Sequence, residues 1–249
     1  MIRLLSASWD LYIKGDVMKE KLSQYKHCLL LLYFPFYLTA FFFLERFGPN
    51  KIHIIDCAID QYIPFVEIFI IPYLLWFAYM LAAGLYFMFC EKESFVRMMC
   101  FGMIGMTIFL LVSWLYPNGL ELRPEVFTRD NIFIRLTQFI YGMDTPTNVL
   151  PSIHVFNSVG ICITIGYSEK LRDKKWVRNG AKVLTVLIVL STMFVKQHSI
   201  VDVLLALFLS YISYGLVFDG WAVKLWSSME EMKYKYQKKA RRRSGCLEK

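Results

Sequence analysis

Two of the chain's four histidines, His154 and His198, stand in polar clusters at the edges of apolar segments. The first cluster lies in DTPTNVLPSIHVFNSVG, residues 144–160. Pro151 followed by Ser152 marks a helix start, with Ser152 as N-cap. A helix N-terminus offers free N–H groups and the positive end of the helix dipole, so an anion held there would lie within reach of His154. The second cluster is STMFVKQHSIVD, residues 191–202. His198 and Asp202 are spaced i, i+4 and share a face if the segment is helical. A carboxylate that accepts the Nδ1 hydrogen leaves Nε2 free as a base or nucleophile. Taken singly, each cluster has a bland explanation: a capping serine beside an interfacial histidine, and a His–Asp pair closing a helix junction. Together they suit phosphoryl transfer. One imidazole attacks phosphorus, the other protonates the leaving oxygen, and nearby cations stabilise the equatorial oxygens.

The elements that must position these residues are apolar helices. The chain is 57% hydrophobic, and the apolar residues fall in long blocks separated by short charged connectors. A spanning helix needs about 20 mostly apolar residues. Six blocks approach that length, at about 28–44, 65–90, 95–116, 152–167, 181–198 and 200–218. Pro35 interrupts the first; Glu67 and Pro72 stand in the second, where Glu67 reads as a helix–helix contact. The expected fold class is an all-α integral membrane protein with six transmembrane helices. Its expected parts are a cytoplasmic or interfacial arm (1–27), a six-helix membrane domain (28–220) and a basic cytoplasmic tail (221–249). The arm lacks the apolar core and small-residue cleavage site of a signal peptide, and Trp9, Leu11 and Tyr12 could anchor it at the interface.

Orientation follows from the basic residues. With both termini on one side, that side and its connectors hold 22 Lys and Arg, against 6 on the other. The positive-inside rule therefore puts both termini in the cytoplasm and the active site at the extracytoplasmic face. The net charge of +8 is then mainly a topology signal. The tail sequence KYKYQKKARRR, which contains Tyr234 and Tyr236 and follows Trp221 and Trp226, fits anionic lipid headgroups rather than nucleic acid. Membrane lipids are thus expected partners and nucleic acid is not; oligomeric state is open. The six cysteines show no paired spacing, and CLEK, which begins at Cys246, is a poor prenylation signal. No ligand cluster for a metal is visible, so no metal or cofactor is expected. The longest connector, about 117–151, faces outward with the very short fifth connector, and a connector of that length suggests function.

These motifs resemble those of the type 2 phosphatidic acid phosphatase superfamily, whose core is similar to that of vanadium haloperoxidases. The family carries Lys-x-x-x-x-x-x-Arg-Pro, Pro-Ser-Gly-His and Ser-Arg-x-x-x-x-x-His-x-x-x-Asp. This chain has YPNGLELRP, PSIH and STMFVKQHSIVD in that order, and the likeness covers roughly residues 65–218. The resemblance implies that His198 is a nucleophile forming a phosphohistidine, oriented by Asp202, with His154 as general acid and later base. It implies that Ser152, Ser191 and Arg123 hold the phosphate of a lipid substrate. Tyr116 stands in place of the first-motif lysine, Ile153 in place of glycine, and Thr192 in place of the third-motif arginine. Two cations are thereby lost, and Lys196 is the candidate replacement, against the plain reading of a snorkelling lysine. Asp144 and Asn148 are candidates for supporting or acceptor-binding groups, though turn chemistry in DTPTN accounts for them as well.

The departures resemble the inositol phosphorylceramide synthase branch, which passes a headgroup to an alcohol instead of water. Three functions stand at this point. The first is a metal-independent lipid phosphate ester hydrolase in the cell membrane. The second is a phosphotransferase with the same intermediate. A proton-coupled transporter is the third; its polar groups would be expected near the membrane midplane, whereas these cluster at one surface.

Overall fold

A computed structural model describes residues 25–47 and 51–220. Residues 1–24 of the expected interfacial arm, the basic tail and Cys246 lie outside the described residues; Lys26 and His27, the end of that arm as expected, already belong to the first helical segment. The fold is helical, apart from one two-residue parallel ladder between β1 (His53–Ile54) and β2 (Asn118–Gly119).

A 3-10 segment, Lys26–Leu32, runs directly into α1 (Tyr33–Phe47). Pro35 falls just past the junction of the 3-10 segment and α1, and helical backbone continues on both sides of it. Pro72 is accommodated in the same way at the start of α2 (Ile70–Cys90), and α3 (Lys92–Leu115) follows after Glu91 alone. The long connector holds a helix the apolar pattern does not suggest, α4 (Ile132–Met143), capped by Asn131, whose Oδ1 accepts from the amides of Phe133 and Ile134. The bundle closes with α5 (Ile153–Tyr167), α6 (Lys175–Phe194) and α7 (Ile200–Val217).

Five helical stretches among the described residues are long and apolar enough to cross a membrane: Lys26–Phe47, Glu67–Cys90, Lys92–Leu115, Lys175–Phe194 and Ile200–Val217. The expected fourth span, α5, has 15 residues, about 22 Å of helix, which is shorter than the ~30 Å hydrocarbon core. The expected fifth block, 181–198, is displaced. α6 begins six residues earlier, in charged sequence, and stops at Phe194, because Lys196 adopts a left-handed φ of 54° that a helix cannot continue through. Glu67, in the 3-10 turn that leads into α2, makes the expected helix–helix contact with the connector's own helix: it pairs with Arg129 at 2.9 Å and accepts from Asn131, the N-cap of α4.

α3 and α5 pack by exchanging rings for glycines. Phe156 of α5 lies over Gly105 of α3, and Phe101 of α3 lies over Gly160 of α5, with the two rings 4.6 Å apart. A Cβ at either glycine would collide with the opposing ring. This close approach fixes the axial position of α5, and hence of His154 two residues before Phe156.

Candidate active site

The N-termini of α5 and α7 and the C-terminus of α6 meet at one end of the bundle. Ser152 is the N-cap of α5, accepting from the Val155 amide, and its own amide donates to the Asp202 carbonyl at 3.3 Å. That bond brings the start of α5 onto the start of α7. His154, in the first turn of α5, is wedged between Trp76 (4.3 Å between ring centroids) and Tyr73 (4.7 Å) of α2.

His198 and Asp202 are joined at 2.7 Å between Nδ1 and Oδ2. The pairing is as expected, but the reason differs. His198 is not on a helix; it precedes the N-cap, Ser199, and reaches over the first turn to Asp202. On its other side, His198 Nε2 lies 3.3 Å from His154 Nδ1. A carboxylate only accepts, so His198 carries a hydrogen on Nδ1; in neutral His198 the lone pair is then on Nε2 and His154 donates from Nδ1. Asp202, His198 and His154 thus form one hydrogen-bond chain. His154 Nε2 and Asp202 Oδ1 are buried without a partner among the described residues.

The loop 194–200 that carries His198 is tethered at nearly every residue. The Phe194 carbonyl accepts from Val66, and the Val195 carbonyl accepts from the Tyr141 hydroxyl at 2.6 Å. The amides of Gln197 and His198 both donate to the Thr192 carbonyl. Asp60, 1% exposed, accepts from the Ser199 hydroxyl (2.6 Å), the Ile200 amide (2.9 Å) and the Cys57 amide (2.8 Å). Burial alone would raise the Asp60 pKa, but these donors outweigh it and hold the carboxyl below its usual value. Asp60 was not legible as a site residue: no sequence spacing connects it to Ser199.

The remaining expected residues divide into those that face the histidines and those that do not. Lys196, expected at the phosphate, directs its ammonium to the carbonyls of Asp60 (2.7 Å) and Ile63, and burial lowers its pKa. It braces the loop. Ser191 is buried and donates to the Ile188 carbonyl, while Ser152 is buried in its capping role. Arg123 reaches the site at one remove. Its guanidinium donates to the carbonyls of Tyr141 (3.3 Å) and Asp144 (2.8 Å), stacks on the Tyr141 ring, and donates to Gln197 Oε1 at 2.6 Å. Asn148 has a left-handed φ of 54°, consistent with turn chemistry, and its amide donates to Glu45 of α1 at 2.8 Å. Asn118, also absent from the sequence reading, accepts from the amides of Val149 and Leu150 through Oδ1 and so fixes the approach to α5.

The histidines open onto a cavity of about 720 Å³. Asp144, Asn148, Gln197, His154 and His198 line one end; Leu31, Met88, Phe95 and Met98 line the other. Along α2 the lining runs from Tyr73 to Met88, about 22 Å at the helical rise. Between these ends the wall is aromatic, methionine and aliphatic, with Gly84 and Gly102 leaving room. Among the described residues, no group of three or more His, Cys, Asp and Glu gathers to hold a metal ion.

No family model, no curated protein and no solved structure matches this chain.

Proposed function

We propose that this protein is a membrane enzyme that cleaves a phosphate ester of a lipid through a phosphohistidine on His198. The observation that carries the reading is the Asp202–His198–His154 chain at the mouth of a long apolar cavity. His154 enters as the imidazolium, and the substrate replaces its contact with His198. His198 Nε2 attacks phosphorus, the new P–N bond forms as the ester P–O bond breaks, and the lipid oxygen takes a proton from His154, which is left neutral. Asp202 keeps the Nδ1 hydrogen in place and stabilises the imidazolium character that develops on His198. Water then gives its proton to His154, its oxygen attacks phosphorus, the P–N bond breaks and phosphate leaves. The cavity holds the hydrocarbon part of the substrate, which is why the substrate class is a lipid. The motif resemblance to the type 2 phosphatidic acid phosphatase superfamily agrees with this chemistry. We further place six spans in the cell membrane, counting α5 among them, with both termini cytoplasmic and the site outward.

A second reading, transfer of a headgroup from a phosphodiester to an alcohol, is favoured by one observation. The two nearby cations, Lys196 and Arg123, are engaged with carbonyls and with Gln197. A site whose facing donors are neutral suits a singly charged phosphodiester better than a doubly charged monoester.

The test is a panel of lipid phosphomonoesters and phosphodiesters with the purified protein, read by phosphate release and by rapid-quench detection of acid-labile phosphohistidine. A labelled acceptor alcohol separates hydrolysis from transfer. Absence of turnover on every ester, with no trapped phosphohistidine under single-turnover conditions, would remove the proposal.

A further inference from the structure

Gln197 is 4% exposed and lies beside His198 on the cavity wall. Its Oε1 accepts from Arg123 Nη2 at 2.6 Å. A guanidinium has donors only, so the amide cannot be turned the other way round: oxygen must face Arg123 and nitrogen must face away. Arg123 is itself immobilised by two carbonyls and the Tyr141 ring, and the Gln197 backbone is held by Thr192. The result is an amide nitrogen that is buried, directed by two layers of contacts, and without a partner among the described residues. Buried donors are nearly always satisfied, and an unsatisfied one is costly, so this group calls for an acceptor from outside the chain.

We infer that Gln197 binds the substrate phosphate through its side-chain amide, with Arg123 as the residue that positions it. This rests on the proposal that His198 accepts the phosphoryl group. The ligand chemistry is a tetrahedral oxyanion, whose oxygens accept only and therefore match the two N–H donors of the amide. Gln197 and His198 line the same end of the cavity, so an oxyanion bound beside His198 is the acceptor nearest to hand for the amide. The two cations lost from the motifs are compensated in part by a neutral donor whose dipole Arg123 reinforces, and not by Lys196.

The experiment uses the full chain in detergent, with orthovanadate as the binding probe and a cleavable phosphate ester for turnover. Vanadate raises the melting temperature of the wild type. Gln197→Met, which keeps the volume and removes the donors, and Gln197→Glu, which pairs with Arg123 but turns an acceptor toward the phosphate, both lose that shift. Both lose on the order of 10²-fold or more in kcat, the size of one oxyanion donor. Arg123→Met leaves the amide free to rotate; it shows an intermediate loss, and Arg123→Lys restores part of it. If Gln197→Glu shows no melting transition, the methionine variant decides. A wild type that responds to vanadate beside a Gln197 variant that responds equally, with kcat within twofold, overturns this inference and leaves the phosphohistidine reading standing. A wild type that neither responds to vanadate nor forms phosphohistidine overturns both.

Discussion

His198 Nε2 and His154 Nδ1 face each other at 3.3 Å, with the nucleophilic lone pair of one capped by the hydrogen of the other. The two rings are therefore not equivalent. On the proposed mechanism His198→Ala removes the attacking nitrogen, and no phosphoenzyme should form. On the same mechanism His154→Ala removes the proton donor, and turnover should fall by about 10²–10⁴-fold. That deficit shrinks for p-nitrophenyl phosphate, whose leaving group needs no proton. Trapped phosphohistidine in His198→Ala but not in His154→Ala would reverse the roles.

Asp60 makes the loop that carries His198 dependent on pH. Its carboxyl is held below its usual range, so its contribution to stability is complete above the unfolded value, about 3.9. The contribution is lost as pH falls through the folded value. Acid unfolding followed from pH 5 down to 2 should show a downward step in melting temperature that Asp60→Asn flattens. Asp60→Ala strands the donors of Ser199, Ile200 and Cys57, and should cost about 1–3 kcal/mol. Because the same contacts seat His198, kcat should fall with it; a stable, fully active Asp60→Ala would show that the tether is dispensable.

Gly84 lines the cavity about 16 Å along α2 from the level of Tyr73, and a Cβ there meets nothing within 4 Å. Gly84→Phe should therefore fold and block the far part of the cavity. Substrates with long hydrocarbon chains should lose kcat/KM, while short-chain analogues keep it. Equal loss for both, or for neither, would show that the chain does not run down this cavity.

The Phe156–Gly105 and Phe101–Gly160 exchange should not tolerate a side chain. Gly105→Val forces the Phe156 ring out of place and should destabilise by about 1–3 kcal/mol, the usual range for overpacking. Differential scanning in detergent measures it. Gly142, whose surroundings are open, serves as the control position.

Topology is open to direct measurement at Thr128, an exposed residue of the long connector. A cysteine introduced there should react with an impermeant reagent on intact cells. Reaction only after permeabilisation would place the site on the cytoplasmic side.

Much of the helical layout, and the identity of the His198–Asp202 pair, were determined by the sequence itself. Apolar blocks bounded by charge make helices wherever backbone polar groups lack water, and a capping Ser after Pro marks α5 directly. Hydropathy does not register a left-handed residue inside an apolar run, so the end of α6 and the non-helical setting of His198 depend on Lys196 folding back at φ 54°. What only the tertiary structure decided is the partners of the polar groups. Lys196 reaches carbonyls 133 and 136 residues away, Asp60 reaches Ser199 across 139, and Arg123 reaches Gln197 across 74. Periodicity records which face of an element is buried; it does not record which distant donor meets which acceptor. For that reason a lysine near His198 in sequence became a brace, and a glutamine with no motif behind it stands beside His198 on the cavity wall.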